Sequence, residues 1–391
     1  MARGLLRNRD GAHARVGFVE LFFDLVFVFA VTQLSHTLLE HLTWLGVLQA
    51  AMLLGALWWA WIDTSWITNW LDPERPQVRI MLFALMGAGL IMSTSLPEAF
   101  GDKGLVFAAA FVSIQVGRGL FTLWAVRRDE ALRRNFQRIS IWAVSGGVLW
   151  IAGGLLEGQA RLIVWLFAVA GEFAAPMLYF WVPGLGRSHT ADWQVEGGHL
   201  AERVGLFIII CLGESVLVTG ATFAGLEWTP AVVAAFASAF IGALAMWWIW
   251  FSRAHHAASD IIARSDDPGR IARRAYTYGP ILVVAGIIVT AVGDELSLSH
   301  PGGPVTFTTA AVLIGGPLLF LAGAQVFKLA AFGTWSPSRL VGAAALAALG
   351  ALVPVAPWLT PLGLAAASTA VLVGVGAWET LAGRTTPMDG E

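Results

Sequence analysis

Runs of about 20 apolar residues recur along the whole chain, each long enough to cross a hydrocarbon core of about 30 Å. Of the 391 residues, 57% are apolar and only 13% charged, whereas an ordinary soluble domain carries about 25% charged side chains. The solvent for most of this surface is therefore lipid. An open strand edge does not survive in lipid, and the runs show no two-residue alternation, so each is predicted to be a helix. The expected fold is an all-α polytopic membrane protein of about twelve transmembrane helices, over residues 18–38, 44–66, 79–97, 105–126, 139–156, 161–183, 204–222, 230–252, 275–293, 305–327, 339–356 and 361–380.

Arg3, Arg7 and Arg9 followed by an apolar stretch resemble a secretory leader. That stretch is too long for a signal core, carries Glu20 and Asp24, and lacks a small-residue cleavage site, so it is expected to remain as the first helix. The formal charge of -2 gives no basic excess that would attract nucleic acid, and the arginines are scattered through short loops. Cys211 is the only cysteine, so no intramolecular disulfide forms and no cysteine-based metal cluster can be built.

The map is tested by loop charge, because a miscounted span would exchange the sides of everything after it. Of the 24 Lys and Arg residues, all but Lys103, Arg161 and the intramembrane Arg118 fall on one side. The expectation is a multi-pass protein of the cell membrane with both termini cytoplasmic. Trp44, Trp66, Trp70, Trp228, Trp335 and Trp358 fall near predicted span ends, where amphipathic rings prefer to sit. Trp58, Trp59 and Trp61 lie deeper, as helix packing or as an aromatic pathway lining.

The two halves resemble each other. Arg15-Val16-Gly17-Phe18 matches Arg203-Val204-Gly205-Leu206, Trp58-Trp59-Ala60-Trp61 matches Trp247-Trp248-Ile249-Trp250, and Asp72-Pro73 matches Asp267-Pro268. Two six-helix repeats are expected, 1–190 and 191–391, inserted in the same orientation because six is even.

Ionisable side chains at bilayer depth cost about 2.5–3.5 kcal/mol each on insertion scales, so they face a bundle interior and often mark a site. The candidates for a pathway or ion site are Asp24, Glu214, Glu20, Asp63 and Glu172, with Arg118 and Arg203 as structural counter-charges. Glu20 and Asp24 are four residues apart and share a helix face with Ser35; Arg203 and Glu214 share one in helix 7. The competing reading of Asp24 and Glu214 is a carboxylate that locks packing through an arginine, a tryptophan N–H or a hydroxyl. Arg118 is read as the counter-charge of one of these two acids, and Glu20 as a solvated group near the surface. Gln33 and His36 approach the outer interface, where polar groups cost little.

His255, His256 and Asp260 lack the i, i+4 arrangement of a metal pair and are read as a solvated loop. No phosphate-loop, zincin, nucleophile-elbow or dinucleotide fingerprint occurs. The chain is accordingly expected not to be an enzyme, with no catalytic residues, no metal and no cofactor.

Three blocks together resemble the bacterial low temperature requirement A family: Glu20-Leu21-Phe22-Phe23-Asp24-Leu25-Val26-Phe27-Val28, the Trp-rich second helix running to Asn69-Trp70-Leu71-Asp72-Pro73, and Glu202-Arg203-Val204-Gly205-Leu206-Phe207 with Leu212-Gly213-Glu214-Ser215. The family name records a growth requirement in the cold and implies no particular chemistry. A fainter similarity, at Phe22-Phe23-Asp24, is to the lysosomal potassium channel family, whose repeats carry Phe-Ser-Asp in their first helix. Here the serine is absent and helix 7 has no such triplet.

Together these features describe a channel or secondary transporter for a cation, proton or small solute, with helices 1 and 7 lining the pathway. The alternative is a non-transporting membrane scaffold or stress-adaptation factor. The expected partners are the lipid bilayer and an ion or small solute, without nucleic acid and with the oligomeric state open.

Overall fold

A computed structural model describes residues 4–7, 15–189, 195–251 and 268–382. Among them are twelve helices long and apolar enough to cross a membrane. They are α1 (Phe18–Glu40), α2 (Trp44–Trp70), α3 (Pro76–Ser95), α4 (Gly104–Ala125), α5 (Glu130–Leu155), α6 (Gly158–Met177), α7 (Gly197–Ala224), α8 (Pro230–Trp250), α9 (Gly269–Ser299), α10 (Phe307–Phe332), α11 (Pro337–Leu352) and α12 (Pro361–Ala382). His255, His256, Asp260 and Asp267 lie outside the described residues.

The chain divides into two compact units inside α7, between Arg203 and Val204. The first holds α1–α6 and the opening turns of α7; the second holds the rest of α7 with α8–α12.

In the first unit α2 is the hub, and all but Ala51 and Asp63 are buried between Ala50 and Leu71. It starts at Thr43, whose hydroxyl accepts from Gly46 N at 3.1 Å. Helix α1 buries one stripe, Glu20, Phe23, Asp24, Phe27, Val31, Leu34, Ser35 and Leu38, at the three- and four-residue spacing of a helix face. Phe18, Phe22, Leu25 and Phe29 point the other way and are exposed, as a lipid-facing side requires. Its N-cap is Gly17, which has no side chain to cap with; Glu20 instead accepts the Gly17 N–H at 2.8 Å. Ahead of α1, Leu6 bridges Leu71, with Arg7 N donating to Trp70 O at 2.8 Å and Asp72 N to Leu5 O at 2.9 Å.

In the second unit α9 and α10 pack through glycines seven residues apart on each helix: Gly279, Gly286 and Gly293 of α9 face Phe327, Phe320 and Leu313, and Gly316 and Gly323 of α10 face Thr290 and Val283. A Cβ on Gly286 would lie 2.4 Å from Phe320 N, and one on Gly316 2.5 Å from Thr290 N. Small residues are what let two backbones approach this closely in lipid. After its first α-helical turn, α9 contains a π-helical turn, Arg273–Tyr278. Pro280 follows it, without the N–H an α-helix would send back to Tyr276, and the wider turn absorbs that missing bond.

Several starts lie earlier than expected, and two of them bear on the buried polar groups or show the cause. Helix α5 begins at Glu130 rather than 139 because Asp129 accepts from Leu132 N at 3.0 Å and caps it there. Helix α7 begins at Gly197 rather than 204, so Arg203 lies within the helix and not at its mouth. Hydropathy locates where a helix enters oil, whereas winding begins at the cap.

Candidate functional site

Glu20 and Asp24 on α1 meet His199 and Arg203 on α7. Both pairs are four residues apart and are matched in the same order, so the opening turns of α7 run alongside α1 in the same direction. All four side chains are fully buried. The result is two polar layers, about 6 Å apart along the helices.

The lower layer is well bonded. Glu20 Oε1 lies 2.9 Å from His199 Nε2, and Oε2 accepts from Arg7 Nη2 at 3.0 Å. Arg7 also donates through Nε to Thr68 O at 2.7 Å. Asn69 clamps the start of α7, donating to Glu196 O at 2.8 Å and accepting from Glu196 N at 3.0 Å. Its Nδ2 lies 3.3 Å from His199 Nδ1. Glu20 is thus not a solvated surface group as expected: the N-terminal segment folds back over α2 and Arg7 covers it.

The upper layer is less satisfied. Asp24 Oδ1 accepts from Trp61 Nε1 at 2.7 Å and from Arg203 Nη2 at 2.8 Å. The same Nη2 reaches Ser65 Oγ at 3.2 Å, and the guanidinium lies 5.8 Å from the Trp61 ring centre and 6.0 Å from that of Phe23. Asp24 Oδ2, Arg203 Nε and Arg203 Nη1 are buried and have no hydrogen-bond partner. Leaving such atoms unpaired costs about 1–3 kcal/mol each, and more for charged groups. Trp61, Ser65 and Asn69 serve the two layers from one face of α2, at four-residue spacing.

The other flank of α2 holds a second cluster. Arg118 of α4 donates to Asp63 Oδ2 at 3.0 Å, to Thr64 Oγ1 at 3.0 Å and to Ala60 O at 3.1 Å, and it is hydrogen-bonded to Gln115. Glu172 of α6 lies within electrostatic reach of both Asp63 and Arg118. The expectation that Arg118 neutralises Asp24 or Glu214 is corrected here: its partner is Asp63, whose helix faces α4, while Asp24 is taken by Arg203. Glu214 is half-buried on the part of α7 that belongs to the second unit. The deep tryptophans are packed. Trp59 meets Phe173 edge-on at 5.2 Å, Trp58 lies 5.1 Å from Trp61, and Trp61 is in addition the hydrogen-bond donor to Asp24.

Sequence reasoning passed over several groups. His199 precedes the expected start of α7, and Arg7 was counted only as a loop charge. Asp294 and Glu295 lie just past the expected end of the ninth span but inside α9. Glu379 in α12 was not marked; it accepts from Arg339 Nε at 2.8 Å, from Ser338 at 3.0 Å and from Ser336 at 3.1 Å. Arg161, assigned to the sparsely charged side, is buried in the first turn of α6, where it donates to the carbonyls of Ala99, Gly101, Gly153 and Leu156.

Twelve helices among the described residues that are long and apolar enough to cross a membrane, with ion pairs buried inside the first unit, define a polytopic membrane protein. Residues 15–377 match the family described as bacterial low temperature requirement A protein, LtrA, and the chain belongs to that family. A protein of Rhizobium meliloti (strain 1021), described as uncharacterized protein RA0937, is 40% identical over 382 residues, covering 96% of this chain and 92% of its own. The likeness to the lysosomal potassium channel family is not supported by these matches. No solved structure matches the chain.

Proposed function

We propose that this protein moves an ion or small solute across the membrane, and that the Asp24–Arg203 pair between α1 and α7 is the element the moving species engages. The observation that carries this reading is the surplus bonding capacity of a fully buried ion pair: one carboxylate oxygen and two guanidinium N–H groups have no partner in the protein. A pair serving packing alone gains by satisfying them. A pair that binds a cation or proton through Asp24, or an anionic group through Arg203, needs them available. The cationic or protonic species favoured on sequence grounds uses the Asp24 oxygen. Glu214, on the part of α7 that belongs to the second unit, is the second candidate on sequence grounds. The concentration of arginines in alternate loops favours a cell-membrane protein with both termini cytoplasmic.

Flux measured in vesicles holding the purified protein tests the reading. Asp24→Asn and Glu214→Gln should each abolish flux while leaving the helical content and monodispersity unchanged; undiminished flux removes the proposed roles. Failure of the unaltered protein to move any tested ion or solute counts against transport as a class. The scaffold reading draws on the lower layer, where Glu20 is held by Arg7, His199 and the Gly17 N–H as a structural latch would be. Under that reading Asp24→Asn lowers thermal stability first.

A further inference from the structure

We propose that Glu172 is a proton-binding site, held neutral beside the Asp63–Arg118 ion pair and able to exchange its proton when the guanidinium is released. Asp63 and Glu172 face one cation, Arg118, and these are the charged groups that bear on Glu172: Asp63 from α2 and Arg118 from α4. Its other neighbours are neutral, Gln115 of α4 and Gly146 and Trp150 of α5.

Arg118 is already committed. It is 3% exposed and spends its donors on Asp63, Thr64, Ala60 and Gln115. Glu172 Oε1, by contrast, is buried with no hydrogen-bond partner, and α5 comes so near that a Cβ on Gly146 would stand 2.9 Å from it. Trp150, fully buried, interacts with the same carboxyl, yet its Nε1 lacks a hydrogen bond of proper geometry. An ionised carboxylate in this setting is a surplus charge in a medium of low dielectric, and such groups take up a proton instead.

The exchange is balanced simply: the Glu172 carboxylate and one proton from water give the carboxylic acid. Because Asp63 and Glu172 compete for one guanidinium, moving Arg118 toward Glu172 expels the proton, and its return to Asp63 lets the proton rebind. The binding step stands by itself; coupling of this proton to solute movement rests on the transport reading above.

Infrared difference spectroscopy of the full-length protein in lipid vesicles, between acid and alkaline buffer, reads the site without requiring flux. The unaltered protein should show a protonated-carboxyl band that titrates and is absent in Glu172→Gln. Asp63→Asn frees Arg118 for Glu172 and should move the midpoint of that band to acid by about 1–3 pH units. Should Glu172→Gln fail to fold, the Asp63→Asn shift decides. A band unchanged in Glu172→Gln, or a midpoint unmoved in Asp63→Asn, overturns the assignment. So does loss of the band on adding sodium at constant pH, which would make the site a cation site. A titrating band in vesicles that pass no solute leaves this inference standing and removes the transport reading; flux without the band does the reverse.

Discussion

Asp24 and Arg203 are both fully buried, and their contact runs through one carboxylate oxygen and one guanidinium nitrogen. Removing one member strands a charge in low dielectric, at about 3–5 kcal/mol, whereas replacing both by apolar residues of similar size is often neutral. Asp24→Leu and Arg203→Leu should each lower the unfolding midpoint in detergent, and the double variant should recover most of the loss. Additive losses would show that each side chain stabilises the fold through other partners. A double variant that is stable but passes no solute would separate the pair's role in flux from its role in folding. The acids themselves were legible, because an ionisable side chain inside an apolar run stands out. Their partners were legible only in part: Arg203 and Arg118 stood out as counter-charges without their acids, whereas His199 lies just before the stretch that reads as membrane-spanning, and Arg7 lies in a tail whose path is fixed by backbone contacts to the end of α2.

Helices α9 and α10 show how one residue's neighbour can reverse the effect of the same substitution. Gly315 and Gly316 are adjacent in α10, yet a Cβ on Gly315 meets nothing within 4 Å, while on Gly316 it would overlap Thr290. Gly316→Ala should destabilise by about 1–3 kcal/mol, the usual cost of overpacking. Gly315→Ala should be neutral or stabilising by up to about 1 kcal/mol, since alanine is the better helix former. Thermal unfolding of the two variants in one detergent makes the comparison; equal effects would mean that the α9–α10 contact yields. Helices as elements were readable from apolar run length, and their approximate centres follow from it. Their starts at Glu130 and Gly197 depend on caps and buried partners, which hydropathy does not register.

For the molecule as a whole, the arginine bias makes a topological statement that thiol labelling can check. After Cys211→Ser removes the buried native thiol, cysteines placed at Lys103 and Arg128, both exposed in loops at opposite ends of α4, should react with an impermeant reagent from opposite sides of the membrane. Reaction of both from one side would mean that α4 does not span. Apolar runs and composition were enough to read a chain that lives in lipid, about twelve membrane-length helices, and carboxylates where oil should be. Composition and run length suffice for this, because water and hydrocarbon impose their rules residue by residue. Which cation answers which acid emerges from packing alone: Arg203 to Asp24, Arg118 to Asp63, Arg7 and His199 to Glu20. Pairing depends on which helix faces meet, and residues more than a hundred positions apart carry no mark of one another until packing brings them within hydrogen-bond distance.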